Sequence, residues 1–183
     1  MKQYTIAANT TGIEEQLREH PMRVSKICEK IARALNMSYS ETIELLLAAQ
    51  LHDIGKLWIP KHILNKPENL NNEEWNIVKK HIFYGYEYVR GRKMSKSIAE
   101  AVLYHHERFD GQGYIGLKGK EIPLFSRIIS VADTFDVMIN DRPYKKAVSI
   151  EEALEEIKRN SGTQFDPEIV DVFIKSEVYK INK

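Results

Sequence analysis

The chain of 183 residues carries 27 basic and 26 acidic side chains, a formal net charge of +1, and 43% of its residues are hydrophobic. This length suits one substantial domain, and the near balance of charge argues against a non-specific DNA, RNA or membrane-surface binder. No apolar run approaches the ~18 residues of a membrane span and the amino terminus lacks a signal-peptide core, which together predict a cytoplasmic protein.

Helical periodicity begins near the amino terminus. Apolar residues recur every three to four positions from Ile13 to Leu35, and Cys28 falls among them as an expected buried thiol. Pro21 either kinks this helix or opens a second one just after His20.

Capping signals predict the later helices. Ser38 with Glu41 should open a helix that ends near Gly55, and the stretch from Trp58 to Pro67 should form a turn with one short helix. Further starts are predicted at Asn71 (a segment of about 72–90), Ser95 (running to roughly Glu107), Pro123, Ser149 with Glu152, and Asp166 with Pro167. No segment shows strand alternation. The sequence therefore predicts one all-α domain over residues 1–183, a bundle of about seven or eight helices with its core at about 13–178.

The stretch HHERFDGQGYIG, residues 105–116, is poorly explained by packing, because neighbouring helical residues point about 100° apart. Taken singly, each histidine of the chain is more often a hydrogen-bonded core residue, and each helical aspartate more often faces solvent. An unpaired carboxylate between apolar neighbours would cost several kcal/mol, however, and metal in the bundle core would satisfy all the polar residues at once. The candidates are His20, His52, Asp53, His81, His105, His106 and Asp133, whereas His62 falls in a turn and should be a surface residue.

The donor types narrow the metal chemistry. Imidazoles and carboxylates without usable thiolates argue against a structural zinc site and suit iron, manganese, cobalt or zinc in a catalytic site. An adjacent pair such as His52 and Asp53 can serve two ions through a bridging carboxylate. Two ions about 3.5–4 Å apart can support an in-line phosphoryl displacement.

A series of segments occurs in order along the chain: LHDIGKLWIP, KHILNKPENLNNEEW, HHERFDGQGYIGLKGKEIPLFSRIISVADTFDVM, DRPYKKA and SGTQFDPEIV. Together they resemble the HD-GYP subgroup of the HD-domain metal-dependent phosphohydrolases, from about His20 to Phe173. The resemblance implies an all-α fold around a metal centre. It also implies hydrolysis of cyclic di-GMP to the linear dinucleotide or to GMP.

The resemblance assigns roles by motif position. Asp53 would bridge the ions and hold the nucleophile, and Lys56 would face the scissile phosphate. The metal ligands would be His52, Asp53, His81, His105, His106 and Asp133, with His20 matching a residue that serves an additional ion in some members. The substrate contacts would be Lys56, Arg142, Lys145, Gly113 and Tyr114, although Arg142 and Lys145 could equally be solvated loop charges.

Two positions depart from the pattern of the family. Ile115 stands where Gly-Tyr is normally followed by proline, and isoleucine should leave this loop freer. Gln16 stands where tri-metal members have glutamate, and an amide is a weaker ligand than a carboxylate. We therefore expect two divalent ions, iron or manganese before zinc, cobalt or nickel, and His20 as a peripheral residue.

The expected partner is a cyclic dinucleotide substrate, with a diguanylate cyclase-type domain and a second copy of the chain as candidates. Two other functions stay open. One is an HD hydrolase of another nucleotide (another cyclic dinucleotide, a mononucleotide or an alarmone), and the other is a nucleotide- or cyclase-binding regulatory module with little turnover. The roughly twelve residues before the first helix leave no room for the upstream sensory domain of many members, so the chain would be a stand-alone hydrolase or an excised domain.

Overall fold

The computed structural model describes residues 18–141 and 146–180, most of which lie in helices. The α-helices, in chain order, are α1 (His20–Ala34), α2 (Tyr39–Leu51), α3 (Lys61–Leu64), α4 (Asn72–Lys79), α5 (His81–Gly91), α6 (Lys96–Tyr104), α7 (Leu124–Ile139), α8 (Ile150–Arg159) and α9 (Pro167–Lys175). Two 3-10 segments, Ile54–Trp58 and Gly119–Glu121, lie between them. All the α-helices except the four-residue α3 have at least eight residues, and the described part of the chain contains no strand. The predicted all-α bundle is confirmed.

Side-chain caps begin several helices where the sequence predicts them. The Ser38 hydroxyl accepts the Glu41 N–H at 3.3 Å, and the Glu41 carboxylate accepts the Ser38 N–H at 3.0 Å. The same reciprocal pair of bonds begins α4 and α8. Asp166 caps α9, with Pro167 as its first residue. Pro21 lies in the first turn of α1, where its missing N–H costs no helical hydrogen bond.

Three helix boundaries differ from the prediction, and a histidine lies at each of them. α2 ends at Leu51, before Gly55. α6 ends at Tyr104, before Glu107. The predicted segment of about 72–90 is broken at Lys80. At each break a histidine Nδ1 donates to the carbonyl three residues earlier, at 2.7 to 2.8 Å: His52 to Ala49, His81 to Val78 and His105 to Val102. In a continuing helix that carbonyl would accept the N–H of the residue after the histidine, so the imidazole competes with the helix.

The central helix of the hydrophobic core is α7, which packs against α1, α6, α8 and α9. Its Phe135 ring stands edge-on to Phe173 of α9, with 5.1 Å between the ring centroids. Cys28 of α1 is fully buried as expected, and burial raises the pKa of its thiol. Because burying a large apolar side chain contributes about 1.5–3 kcal/mol, this core holds the helix ends that carry the histidines in fixed positions.

Two glycines let the first 3-10 segment pack directly on α5. A Cβ at Gly55 would lie 1.8 Å from the His81 carbonyl oxygen and 2.7 Å from the Gly85 nitrogen. A Cβ at Gly85 would in turn lie 2.7 Å from the Val102 side chain of α6. This close backbone contact brings Asp53, just before the 3-10 segment, beside His81 at the start of α5.

Candidate metal centre

Seven side chains from distant parts of the sequence meet between these helices. Among the described residues they form two groups, in each of which one ligand atom per residue lies within 4.8 Å of the others. The His20 group contains His20, His52 and Asp133, and the His106 group contains Asp53, His81, His105 and His106. His106 and Asp133 are partly exposed, and the other five are buried. Every predicted ligand therefore lies in one of the two groups, and its role as a ligand stays a prediction.

The backbone bonds of His52, His81 and His105 fix which nitrogen of each ring faces the centre. Because a carbonyl can only accept, the Nδ1 atom of each ring carries a proton, so in the neutral imidazole the Nε2 atom presents a lone pair. The Nε2 atoms of His81 and His105 lie only 3.4 Å apart. Two lone pairs at this distance repel one another unless a cation lies between them.

Asp53 lies between the two groups. Its Oδ2 atom is 2.6 Å from the Lys56 ammonium and 3.3 Å from His52 Nε2. Its Oδ1 atom is 3.5 Å from His81 Nε2 and 3.9 Å from His105 Nε2. Asp53 Oδ1 and His52 Nε2 are buried and, within the described ranges 18–141 and 146–180, have no hydrogen-bond partner. Unsatisfied buried polar atoms are costly, and a divalent cation is a chemically suitable partner for both.

The electrostatics of the His106 group favour the protonation states that metal ligands need. Burial, with a contribution from His106, lowers the pKa of His105 well below its ordinary value. Burial, with a contribution from His81, lowers the pKa of His106 to about 4. Burial alone would raise the pKa of Asp53, but Lys56 and His52 hold it well below its ordinary value. At neutral pH the imidazoles are therefore neutral and the carboxylate is ionised, as metal binding requires.

His20 is held between two carboxylates. Its Nε2 atom lies 3.0 Å from Asp133 Oδ1, and its Nδ1 atom lies 2.7 Å from Asp136 Oδ2. Burial alone would lower the pKa of His20, but hydrogen bonds to Asp133 and Asp136 raise it to about 9. Asp136 is itself buried and accepts from Arg23 Nε at 2.8 Å. Asp136 was not among the predicted site residues, although its neighbours Phe135 and Val137 are as apolar as those that singled out Asp133.

A second residue missing from the prediction is Glu107, which is 3% exposed and fixes the glycine-rich loop. Its Oε1 atom accepts the Ile115 N–H at 2.7 Å, and its Oε2 atom accepts the N–H groups of Gly116 and Leu117 at 2.7 and 2.6 Å. The expectation of a freer loop overlooked the first of these bonds, which proline could not form because it has no N–H. The only sequence signal for Glu107 was its place directly after the two histidines.

The remaining predicted site residues divide into described and undescribed positions. Lys56 pairs with Asp53, and the Tyr114 ring lies against His106 with 4.7 Å between centroids. His62 is exposed, as expected for a surface residue. Arg142, Lys145 and Gln16 lie outside the described residues. No helix in the described ranges is both long and apolar enough to cross a membrane.

Comparison with known proteins places this chain in a family. The sequence model of a protein family described as the HD domain matches residues 5–169. The chain belongs to the HD-domain family. The predicted resemblance is confirmed by curated relatives that are named as cyclic di-GMP phosphodiesterases. This chain spans less than half the length of those two relatives.

Two such relatives and one solved structure are representative. The cyclic di-GMP phosphodiesterase of Thermotoga maritima is 43% identical over 166 residues, which cover 88% of this chain and 45% of that protein. The cyclic di-GMP phosphodiesterase response regulator RpfG of Xanthomonas campestris is 40% identical, over 84% of this chain and 41% of that protein. The crystal structure of the cyclic GMP-AMP specific phosphodiesterase V-cGAP3 of Vibrio cholerae superimposes with a TM-score of 0.71 at 28% identity, over 88% of this chain and 44% of that one.

Proposed function

We propose that this HD domain is a metal-dependent phosphodiesterase that hydrolyses cyclic di-GMP to the linear dinucleotide, to GMP, or to both. The observation that carries the proposal is the pair of adjacent ligand groups, with Asp53 between them. Two buried atoms there, Asp53 Oδ1 and His52 Nε2, have no hydrogen-bond partner in the part of the chain that the structure describes. The names of the curated relatives support the substrate class.

The proposed cofactor is a pair of divalent ions, one at each ligand group, with iron or manganese before zinc, cobalt or nickel. Divalent ions, when bound, supply Lewis acidity for phosphodiester hydrolysis. A third ion is not expected, because Gln16 replaces a carboxylate. His20 would then act as a partner of Asp133 rather than as a ligand of a further ion, since carboxylates lie within hydrogen-bonding distance of both its ring nitrogens.

The roles of the surrounding residues follow from charge and position. Asp53 directs one carboxylate oxygen toward His52 and the other toward His81, so that it can bridge the two ions. The Lys56 ammonium, 2.6 Å from Asp53 and partly exposed, would steady charge on a non-bridging phosphate oxygen or protonate the leaving oxygen. Tyr114 and Gly113 would shape the substrate site. Arg142 and Lys145 would bind the substrate phosphates.

The test is hydrolysis of cyclic di-GMP by protein purified without oxygen, supplied with iron or manganese, with metal content measured on the same sample. We expect turnover that His52→Ala and Asp53→Ala abolish, whereas His62→Ala, at an exposed position outside both groups, retains it. Metal-loaded wild-type protein without turnover would contradict the proposal, and so would full activity in Asp53→Ala.

A second candidate is hydrolysis of a different cyclic dinucleotide. The likeness to a solved cyclic GMP-AMP specific phosphodiesterase favours it. Cyclic di-GMP, 3′3′-cyclic GMP-AMP and cyclic di-AMP should be compared at one metal content. The substrate with the highest kcat/KM identifies the specificity, and cyclic di-GMP is expected to rank first. A diguanylate cyclase-type partner and a homodimer stay predictions.

A further inference from the structure

His106 differs from the other histidines of its group in how its ring is held. His81 and His105 each donate an Nδ1 hydrogen bond to a backbone carbonyl. Among the described residues, no such bond orients the His106 ring, whose contacts are with other rings. One of these is Tyr114, at 4.7 Å between centroids and an interplanar angle of 35°. The Tyr114 ring therefore packs against the His106 ring and restrains it.

The position of Tyr114 depends in turn on Glu107. Tyr114 lies between Gly113, which packs on the Glu107 backbone, and Ile115, which donates its N–H to the Glu107 carboxylate. A Cβ at Gly113 would lie 2.6 Å from Glu107 Cα, so only glycine permits this contact. The exposed Trp75 ring also stands edge-on to the Tyr114 ring, with 6.4 Å between the ring centroids.

We propose that Glu107 and Tyr114 are positioning residues for His106: the buried carboxylate holds the loop, and the loop holds the Tyr114 ring against the imidazole. The carboxylate accepts three backbone N–H groups from consecutive residues, which is a rigid arrangement of charge-assisted bonds. The loop replaces, for His106, the carbonyl bond that orients the other histidines. This inference rests on the proposed metal centre, since it assigns His106 a ligand role.

The direct test is the affinity of metal-free protein for Co²⁺ alone, titrated without substrate and followed by its visible absorption. Tyr114→Leu removes the ring, and Tyr114→Phe keeps it as the matched control. Hydrogen-bonded partners that orient a metal-binding histidine typically contribute about 10–100-fold to metal affinity. Because the Tyr114 ring takes the place of such a bond, we expect Tyr114→Leu to raise the Kd of one of the two ions by about 10-fold, at the low end of that range, and to change its spectrum. Tyr114→Phe should bind as the wild type does.

Glu107→Gln should act like Tyr114→Leu, because the amide keeps the volume but replaces one accepting oxygen with a donor. If this buried variant does not fold, the Tyr114 pair, at a partly exposed position, still decides. Wild-type affinity and spectrum in Tyr114→Leu overturn the inference while leaving the proposed phosphodiesterase intact. Wild-type protein that binds no Co²⁺ overturns the proposed metal centre and this inference with it.

Discussion

Gly55→Ala should separate the first 3-10 segment from α5. The distance from the new Cβ to the His81 carbonyl oxygen, 1.8 Å without adjustment, must increase to at least about 3.0 Å, because real Cβ atoms essentially never approach more closely. The obstructing atoms belong to backbone, so no side-chain rotation relieves the overlap. The segment that follows Asp53 must therefore shift by about 1.2 Å relative to His81.

This displacement has two measurable consequences. Overpacking of this kind costs about 1–3 kcal/mol, which corresponds to a decrease in Tm of roughly 2–12 °C for a chain of this length. A misplacement of about 1 Å at a reacting centre can also cost about 100-fold in rate. Thermal unfolding, urea unfolding, bound-metal content and phosphodiesterase kcat would be measured on the same preparation.

Gly91→Ala is the matched control, because a Cβ at Gly91 meets nothing within 4 Å. Gly91 is the last residue of α5, so alanine there should be neutral or stabilise the helix by up to about 1 kcal/mol. If Gly55→Ala had the unfolding midpoint and metal content of Gly91→Ala, the proposed packing of the 3-10 segment on α5 would be refuted.

Three further predictions concern metal, the loop and acid stability. Adding Mn²⁺ to chelator-treated protein should raise Tm, since a ligand at 100 times its Kd stabilises by about 2.7 kcal/mol, and no shift in a thermal melt would contradict the metal centre. Ile115→Pro should lower the free energy of unfolding in urea by about 1.5–3 kcal/mol, because the hydrogen bond from the Ile115 N–H to the Glu107 carboxylate is lost. Ile115→Ala keeps the N–H and is the control. Equal free energies of unfolding for the two variants would count against this bond. Burial alone would raise the pKa of Asp166, but hydrogen bonds from Lys120 and Arg127 hold it below its ordinary 3.8. The stabilisation of the fold by the ionised Asp166 carboxylate should therefore be complete above pH 3.8 and decrease as the pH falls below that value. Asp166→Asn should reduce this loss of stability at acid pH when the free energy of unfolding is measured against pH.

The sequence by itself determined where most helices begin and which residues belong to the centre. A capping box involves residues three positions apart, so Ser38 and Glu41 carry the signal locally. Asp53 and Asp133 could be chosen as candidate ligands because a carboxylate that is buried among apolar neighbours requires a partner, whatever the fold. The family resemblance assigned roles to the same residues.

Only the tertiary structure decided how those residues divide and what holds them. Asp136 meets His20 across 116 positions of sequence, and no local pattern specifies such a pairing. The breaks at His52, His81 and His105 depend on where each imidazole points, which the packing of other helices fixes. The effect of Ile115 also depended on a buried acceptor eight residues away, at Glu107. The capping bonds are encoded by the spacing of residue types, whereas the two ligand groups and their supports exist only when distant helix ends are packed together.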